Sequence, residues 1–317
     1  MRRIICLLLF PLLSFGQSQL DRFEDYIKHK KFDVAEIKLT VYLEQHSKDF
    51  DALELLGDTY GHQKKWDEAI EIYKKLIKAN PKSAEYHYKY GGAMGMKALE
   101  SSKITAIGML DDIESTLQKA AKLDPDHKNV RWALVEYYMK VPGVLGGSKN
   151  MALKYAYQLE QLSKVDGYLA KGFIYEYDED PELAEKYYKL AIKESGSLWC
   201  YNKLADFYEK QKQPEKALAN LEIAKEKLQR NELQYKIGKL AAEYNIESQK
   251  GVQCLQTYLK NYSPKDGVPK AWAHYRLSQI YSHKKNKAAA LKYIDLALAE
   301  APDMKSFKQE KIKILKL

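Results

Sequence analysis

A fixed interval between small residues recurs along the chain and limits how it can fold. The interval is twelve residues, and it separates Gly57 from Ala69, Gly172 from Ala184, and Ala205 from Ala217. A tyrosine follows the first member of each pair after three positions. Residues three or four apart share one face of an α-helix. The interval therefore predicts repeated pairs of helices that pack through small and apolar side chains.

The motif around the first pair returns near the end of the sequence. Leu56, Tyr60 and Pro81 have counterparts in Leu277, Tyr281 and Pro302. A proline after the second helix prevents that helix from continuing. The two copies lie more than two hundred residues apart, so one structural unit is predicted to run through most of the chain.

Glycine inside a helix needs a structural reason, because it costs about 1 kcal/mol relative to alanine. Gly57, Gly172 and Gly238 fall within predicted helices. We expect them at positions where two helix backbones come close together. Tyr60 and its equivalents are expected to fill the space beside these glycines.

The pattern resembles the tetratricopeptide repeat, a helix-turn-helix unit of about 34 residues. Clear copies begin near Phe50, Val165, Leu198 and Ala271, and weaker ones near Gln19, Ala84, Asn129 and Asn231. The resemblance implies an all-α fold, an α-solenoid of about eight antiparallel helix pairs over residues 17–304. A capping helix is expected over residues 305–317. A repeat fold does not by itself specify an activity.

Residues 1–16 have the features of a secretory signal peptide. Two arginines precede an apolar run from Ile4 to Phe15, and Gly16 is a small residue at the usual cleavage position. A membrane anchor is the alternative, but the run is shorter than the roughly 20 residues that span a bilayer, and Pro11 interrupts it. We expect an exported protein, periplasmic or secreted, with no membrane span after cleavage.

The charge and the cysteines add two further expectations. The net charge of +9 falls to about +7 when the signal peptide is removed. Arginine is scarce and lysine alternates with glutamate, whereas nucleic-acid binding depends on arginine forks, so we do not expect a nucleic-acid partner. Cys200 and Cys254 would remain in the mature chain, either as a disulfide or as two separate buried thiols.

The repeat is irregular over residues 84–127. Pro81 and Pro125 are 44 residues apart, ten more than one period, and the extra length falls around Met96 to Gly108. Apolar residues keep helical spacing through this stretch, so we expect both helices of the unit to be longer than usual. The extension either adds a specific contact surface or is a harmless length variant.

A glycine-rich insertion covers residues 141–149. It fails as a Walker loop, which needs glycine before its lysine and serine or threonine after it, because Ser148 precedes Lys149 here. A structural role is sufficient: Pro142 ends one helix, the glycines form a tight turn, and Ser148 caps the next helix. The alternative is an anion contact formed by Gly146, Gly147, Ser148 and Lys149.

The sequence contains no recognisable catalytic or metal-binding motif. No histidine forms a His-Glu-x-x-His helix or pairs with another ligand at metal spacing, and no Gly-x-Ser-x-Gly turn occurs. The acidic cluster at Asp178 to Asp180 precedes Pro181, which is typical of a helix start. We therefore predict no catalytic residue, no metal and no cofactor, and a protein that is not an enzyme.

The resemblance also implies where a partner would bind. In the family, first helices line a concave surface, and this places eight aromatic residues in the groove: Tyr88, Tyr137, Phe173, Tyr177, Trp199, Tyr235, Trp272 and Tyr275. About half are expected to be exposed there, the others packing between repeats. Aromatic side chains dominate binding hot spots.

One specialised form of the family grips the acidic C-terminus of chaperones with lysine and asparagine at fixed places. Those places hold Asp58, Gly92, Phe173, Asp206 and Lys239 here, so that clamp is not expected. The function predicted from the sequence is a scaffold that binds a segment of another envelope or secreted protein. The alternative is a small-molecule or glycan-binding accessory protein of an envelope transport system. The oligomeric state is left open.

Overall fold

The computed structural model describes residues 10–317, with side chains from residue 19 onward. Most of the predicted signal peptide, residues 1–16, lies outside this range. The described residues form helices and turns without any strand, which confirms the predicted all-α fold. No helix in the described part is both long and apolar enough to cross a membrane. The chain divides into two compact units, residues 1–163 and residues 164–317, each described by itself.

Within residues 10–163, the first unit contains four helix pairs and one short extra helix. In chain order the pairs are α1 with α2, α3 with α4, α5 with α7, and α8 with α9. The helices are α1 (Phe10–Lys28), α2 (Phe32–Gln45), α3 (Phe50–His62), α4 (Trp66–Ala79), α5 (Ala84–Glu100), α6 (Lys103–Ile107), α7 (Leu110–Leu123), α8 (Lys128–Lys140) and α9 (Lys149–Leu162).

The second unit contains four further pairs and a terminal helix. Each helix from α10 to α17 pairs with its neighbour in sequence. The helices are α10 (Lys164–Tyr177), α11 (Pro181–Ser195), α12 (Leu198–Lys210), α13 (Pro214–Leu228), α14 (Asn231–Tyr244), α15 (Ser248–Lys260), α16 (Lys270–His283), α17 (Lys287–Glu300) and α18 (Lys305–Leu315). The helix α18 packs on α16 and α17 and buries Phe307 and Ile314. The predicted α-solenoid of about eight pairs with a terminal helix is confirmed.

Gly57, Gly172 and Gly238 lie at close contacts between paired helices, as expected. A Cβ atom added at Gly57 would lie 2.7 Å from ring atom Cε1 of Tyr73, and one at Gly172 would lie 2.6 Å from the same atom of Tyr188. The prediction that Tyr60 and its equivalents fill this space is wrong. The ring comes from the second helix of the pair, because its side chain points across the interface at the level of the glycine.

These two buried rings are held by hydrogen bonds as well as by packing. The hydroxyl of Tyr73 donates to Oδ1 of Asp58 over 2.8 Å, and that of Tyr188 donates to Oε2 of Glu176 over 2.6 Å. Burial, reinforced by the neighbouring carboxylates, raises the pKa of both phenols well above its ordinary value. Each pair is thus fixed in register by a glycine, a ring and a carboxylate.

The acidic cluster and the cysteines have structural roles. The carboxylate of Asp180 accepts a hydrogen bond from the backbone N–H of Leu183, and Pro181 opens α11, as the sequence predicts. Cys200 and Cys254 are both buried and both free. The alternative of two separate buried thiols is therefore the one observed.

The irregular unit is extended in a different way from the one predicted. The first helix, α5, has 17 residues against 13 in α3 and α8, but α7 has the ordinary 14. The remaining length forms α6, a separate helix of five residues. The prediction that both helices lengthen is wrong for the second, because the backbone of Ser101 is extended and Ser102 caps a new helix by accepting from the N–H of Thr105.

Candidate functional site

A cavity of about 890 Å³ opens within the first unit. It is lined by residues of α3 to α8 and of the 141–145 loop, and α5 supplies the largest share. Both departures from the repeat, α6 and the glycine-rich insertion, contribute to its lining. We call this feature the first-unit cavity.

The cavity exists because α5 presents bare backbone to it. A Cβ atom added at Gly92 or at Gly95 would meet no atom within 4 Å, although both residues line the cavity. The neighbouring Gly91 differs, since a Cβ there would lie 3.0 Å from the Leu117 side chain. Close helix packing therefore explains Gly91 but does not explain Gly92 and Gly95.

Large apolar side chains of the lining are exposed to solvent. Leu99 is 63 % exposed and Ile107 is 49 % exposed, and Met96 and Leu145 are also exposed. Large exposed apolar patches on a protein surface usually mark interaction sites. We call these four side chains the apolar rim: Met96, Leu99, Ile107 and Leu145.

Most charged groups of the lining form ion pairs. The ammonium of Lys89 lies 2.5 Å from Glu54 Oε1 and 2.7 Å from Asp58 Oδ2. Burial acts to lower the pKa of Lys89, but the attraction of the two carboxylates outweighs it, and the pKa is raised overall. Lys140 likewise pairs with Glu136 over 2.7 Å.

Lys103 is the exception among these charges. It lies in α6, is exposed, and lines the cavity. Within residues 19–317 its ammonium has no carboxylate within ion-pair distance. In the same part of the chain, no group of three or more acidic, histidine or cysteine side chains is placed to hold a metal ion. The cavity thus combines apolar walls with one unneutralised positive charge.

Two of the eight predicted groove residues line this cavity. Tyr88 is half-buried, and its ring centroid lies 5.2 Å from that of His127. Tyr137 is buried, which differs from an exposed groove position. Its hydroxyl donates to the carbonyl of Leu110 over 3.1 Å, so it positions α7 against α8.

Three of the other six residues are accessible to some degree. Trp199 is 59 % exposed with the ammonium of Lys203 4.6 Å from its ring centroid, and Tyr177 is 50 % exposed. Phe173 is half-buried, and its ring centroid lies 6.1 Å from that of Tyr177. All three belong to the second unit.

The remaining three predicted groove residues are packing residues. Tyr235 is buried against Tyr258. Trp272 and Tyr275 contact Phe307 of α18, with ring centroids 5.1 Å and 4.9 Å from it. The terminal helix covers Trp272 and Tyr275, whereas Tyr235 packs against α15. These three belong to the part of the set that was expected to pack and not to be exposed.

Three of the four residues in the predicted anion contact already donate their backbone N–H to a carbonyl of the chain. The N–H of Gly146 donates to the carbonyl of Gly143, that of Gly147 to Pro142, and that of Ser148 to Tyr138 over 2.9 Å. The hydroxyl of Ser148 caps α9 by accepting from the N–H of Met151. The insertion therefore forms a turn followed by a helix cap, and this geometry supports its structural role.

Sequence reasoning did not place three aromatic residues of the cavity lining in the groove, Trp66, Tyr73 and Trp132. Trp132 is half-buried in α8 and lines the cavity. It follows Tyr88 by 44 residues, which is the same interval that separates Pro81 from Pro125. Trp132 therefore occupies the position of the next first helix that corresponds to Tyr88, and this interval could have identified it.

Comparisons with known proteins agree with the repeat architecture. A family model described as tetratricopeptide repeat matches residues 51–83, and a second model of that description matches residues 165–197 and 273–304. No curated protein matches the sequence.

Two solved structures resemble this chain over different shares of its length. A thermophilic TPR protein of Thermus thermophilus is 18 % identical, with a TM-score of 0.51 over 60 % of this chain and 97 % of that one. A tetratricopeptide repeat protein from Parabacteroides merdae is 13 % identical, with a TM-score of 0.49 over 94 % of this chain and 98 % of that one. At such low identity, the likeness to the Thermus protein shows a common fold but is not evidence of a common activity.

Proposed function

The chain is a tetratricopeptide-repeat protein, and on this basis we propose that it is a non-enzymatic scaffold that binds a segment of another protein in the first-unit cavity. Such repeats generally mediate protein–protein interaction. The observation that supports the choice of site is the apolar cavity of about 890 Å³, open to solvent and bordered by the apolar rim.

A small-molecule function is the second candidate, because the volume lies within the roughly 300–1,000 Å³ of ligand pockets. The apolar rim argues for the larger partner. Ligand pockets enclose about 70–90 % of a small molecule, so a ligand inside would leave outward side chains such as Leu99 in water. A protein segment lying across the opening would cover them.

The proposed place of action is outside the cytoplasm, in the periplasm or the secreted space. The support is the apolar and basic character of residues 1–16. We expect protein recovered from the envelope fraction to begin at Gln17 when its N-terminus is sequenced. Recovery of the chain from the cytoplasm with Met1 retained would refute export.

Filling the cavity tests the proposed binding site. In Gly95→Leu the new side chain enters open space, and helix propensity favours leucine over glycine by about 1 kcal/mol, so the fold should be kept. We expect a photo-crosslinker at Leu99 to capture a partner protein in cells carrying the otherwise native chain, and Gly95→Leu to reduce that yield by at least tenfold.

Gly143→Leu is the matched control for this experiment. A Cβ at Gly143 also meets nothing within 4 Å, but the residue does not line the cavity. Its crosslinking yield should equal that of the native chain. Equal loss in both variants, or no loss in either, would remove the cavity as the binding site.

A further inference from the structure

The walls of the first-unit cavity restrict the conformation of any peptide within it. Its lining is dominated by glycine, alanine and large apolar residues, and its carboxylates Asp58 and Glu136 are engaged by lysines. An extended segment would bury backbone N–H and C=O groups with few partners there, at a cost of about 1–3 kcal/mol for each unpaired group. An α-helix satisfies these groups internally. The lining therefore favours a helical occupant.

The length of the cavity agrees with a short helix. Its α5 lining runs from Tyr88 to Leu99, which at about 1.5 Å per residue is roughly 16 Å. This corresponds to about three helical turns. A partner helix of that length offers two or three apolar side chains on one face.

The open backbone of α5 provides space for such side chains. Gly92 and Gly95 are three residues apart, or about 4.5 Å along the helix axis. Side chains at positions i and i+4 of a facing helix are about 5–6 Å apart. Two large apolar side chains of one helix can therefore occupy the space above the two glycines.

The charge of the site adds a requirement for an acidic group. Lys103 in α6 lines the cavity without an ion pair to any described carboxylate, whereas Lys89 and Lys140 are paired. An apolar occupant that covers Lys103 without a negative group would remove the hydration of its ammonium and provide no compensating interaction. A carboxylate at that end of the occupant would compensate for this loss.

From these features we propose that the partner segment is an amphipathic α-helix that places two large apolar side chains above Gly92 and Gly95 and pairs an acidic residue with Lys103. This inference rests on the proposed function. It assigns α6, an addition to the ordinary repeat, as the element that selects an acidic partner.

The experiment starts from the photo-crosslinker at Leu99 in the full-length chain. The crosslinked partner segment is mapped by mass spectrometry, synthesised as a labelled peptide, and titrated against the purified protein by fluorescence anisotropy. We expect an amphipathic sequence with an acidic residue whose helical circular dichroism increases on binding. Lys103→Glu should weaken binding on the order of tenfold, since attraction is replaced by repulsion. Exchanging the peptide's acidic residue for lysine should restore binding to Lys103→Glu.

Lys78→Glu is the control, because Lys78 is an exposed lysine of α4 that does not line the cavity and the net charge changes equally. Its affinity should stay at the native value. A mapped segment that binds without gaining helix, or that binds Lys103→Glu as well as the native chain, overturns this inference and leaves the scaffold function standing. Crosslinks confined to lipid, to a second copy of this chain, or to nothing overturn both proposals.

Discussion

Gly147→Ala is expected to destabilise the first unit by about 3 kcal/mol, the upper part of the usual range for an overpacked site. A Cβ at this position would lie 1.7 Å from the carbonyl oxygen of Val141, so no side-chain movement can relieve the contact. The turn must change its backbone, and the hydrogen bonds from Gly147 to Pro142 and from Ser148 to Tyr138 would be lost with it. The midpoint of urea unfolding, followed by circular dichroism, measures the loss.

Gly143→Ala in the same insertion is the control. A Cβ at Gly143 meets no atom within 4 Å, and the residue does not have a positive φ angle. We expect its unfolding midpoint to agree with the native value within the equivalent of about 0.5 kcal/mol. Similar midpoints for the two variants would show that the turn adapts to a side chain at Gly147.

The sequence was sufficient for the helix pairs, because their periodicity is a local property. The twelve-residue interval placed Gly57 and Gly172 at close contacts between helices, and the structure confirms both. It did not identify the partner of each glycine. Tyr73 and Tyr188 were not distinguishable from the other tyrosines, since the side chain that crosses a helix interface depends on the rotation of the second helix.

The candidate site was predictable only in part. The family resemblance placed Tyr88 and Tyr137 among the eight groove residues, and both line the first-unit cavity. Exposure was not predictable, because Tyr137 is buried by its contact with α7 and Trp272 is covered by α18. Both effects depend on how helices from different repeats close on each other, and a single sequence does not contain that information.

The length of the irregular unit could be read from the sequence, but its path could not. The additional residues fit either two longer helices or one longer helix and a separate short one. The choice depends on Ser101 and Ser102, which interrupt the helix by the conformation and capping of two residues. Such a local preference is weak compared with the apolar periodicity that continues through Ile104 and Ile107.

Lys89→Met is expected to destabilise the first unit by roughly 2–3 kcal/mol. The lysine neutralises Glu54 and Asp58, and its removal leaves the two carboxylates beside each other without a cation. Breaking a fully buried ion pair costs about 3–5 kcal/mol, and the Lys89 side chain is 16 % exposed, so we expect a smaller loss. The measurement is again the midpoint of urea unfolding at neutral pH.

The same substitution in a surface ion pair separates this effect from the general loss of a lysine. In Lys74→Met the broken pair with Glu71 is solvent-exposed, so the change should stay within about 0.5 kcal/mol. The deficit of Lys89→Met should also shrink at alkaline pH. Because the pKa of Lys89 is raised in the folded chain, its contribution is complete below the ordinary lysine value of 10.5 and disappears as the pH rises through the folded value. A deficit that does not shrink as the pH rises above 10.5 would mean that packing of the lysine stem, and not its charge, stabilises the contact between α3 and α5.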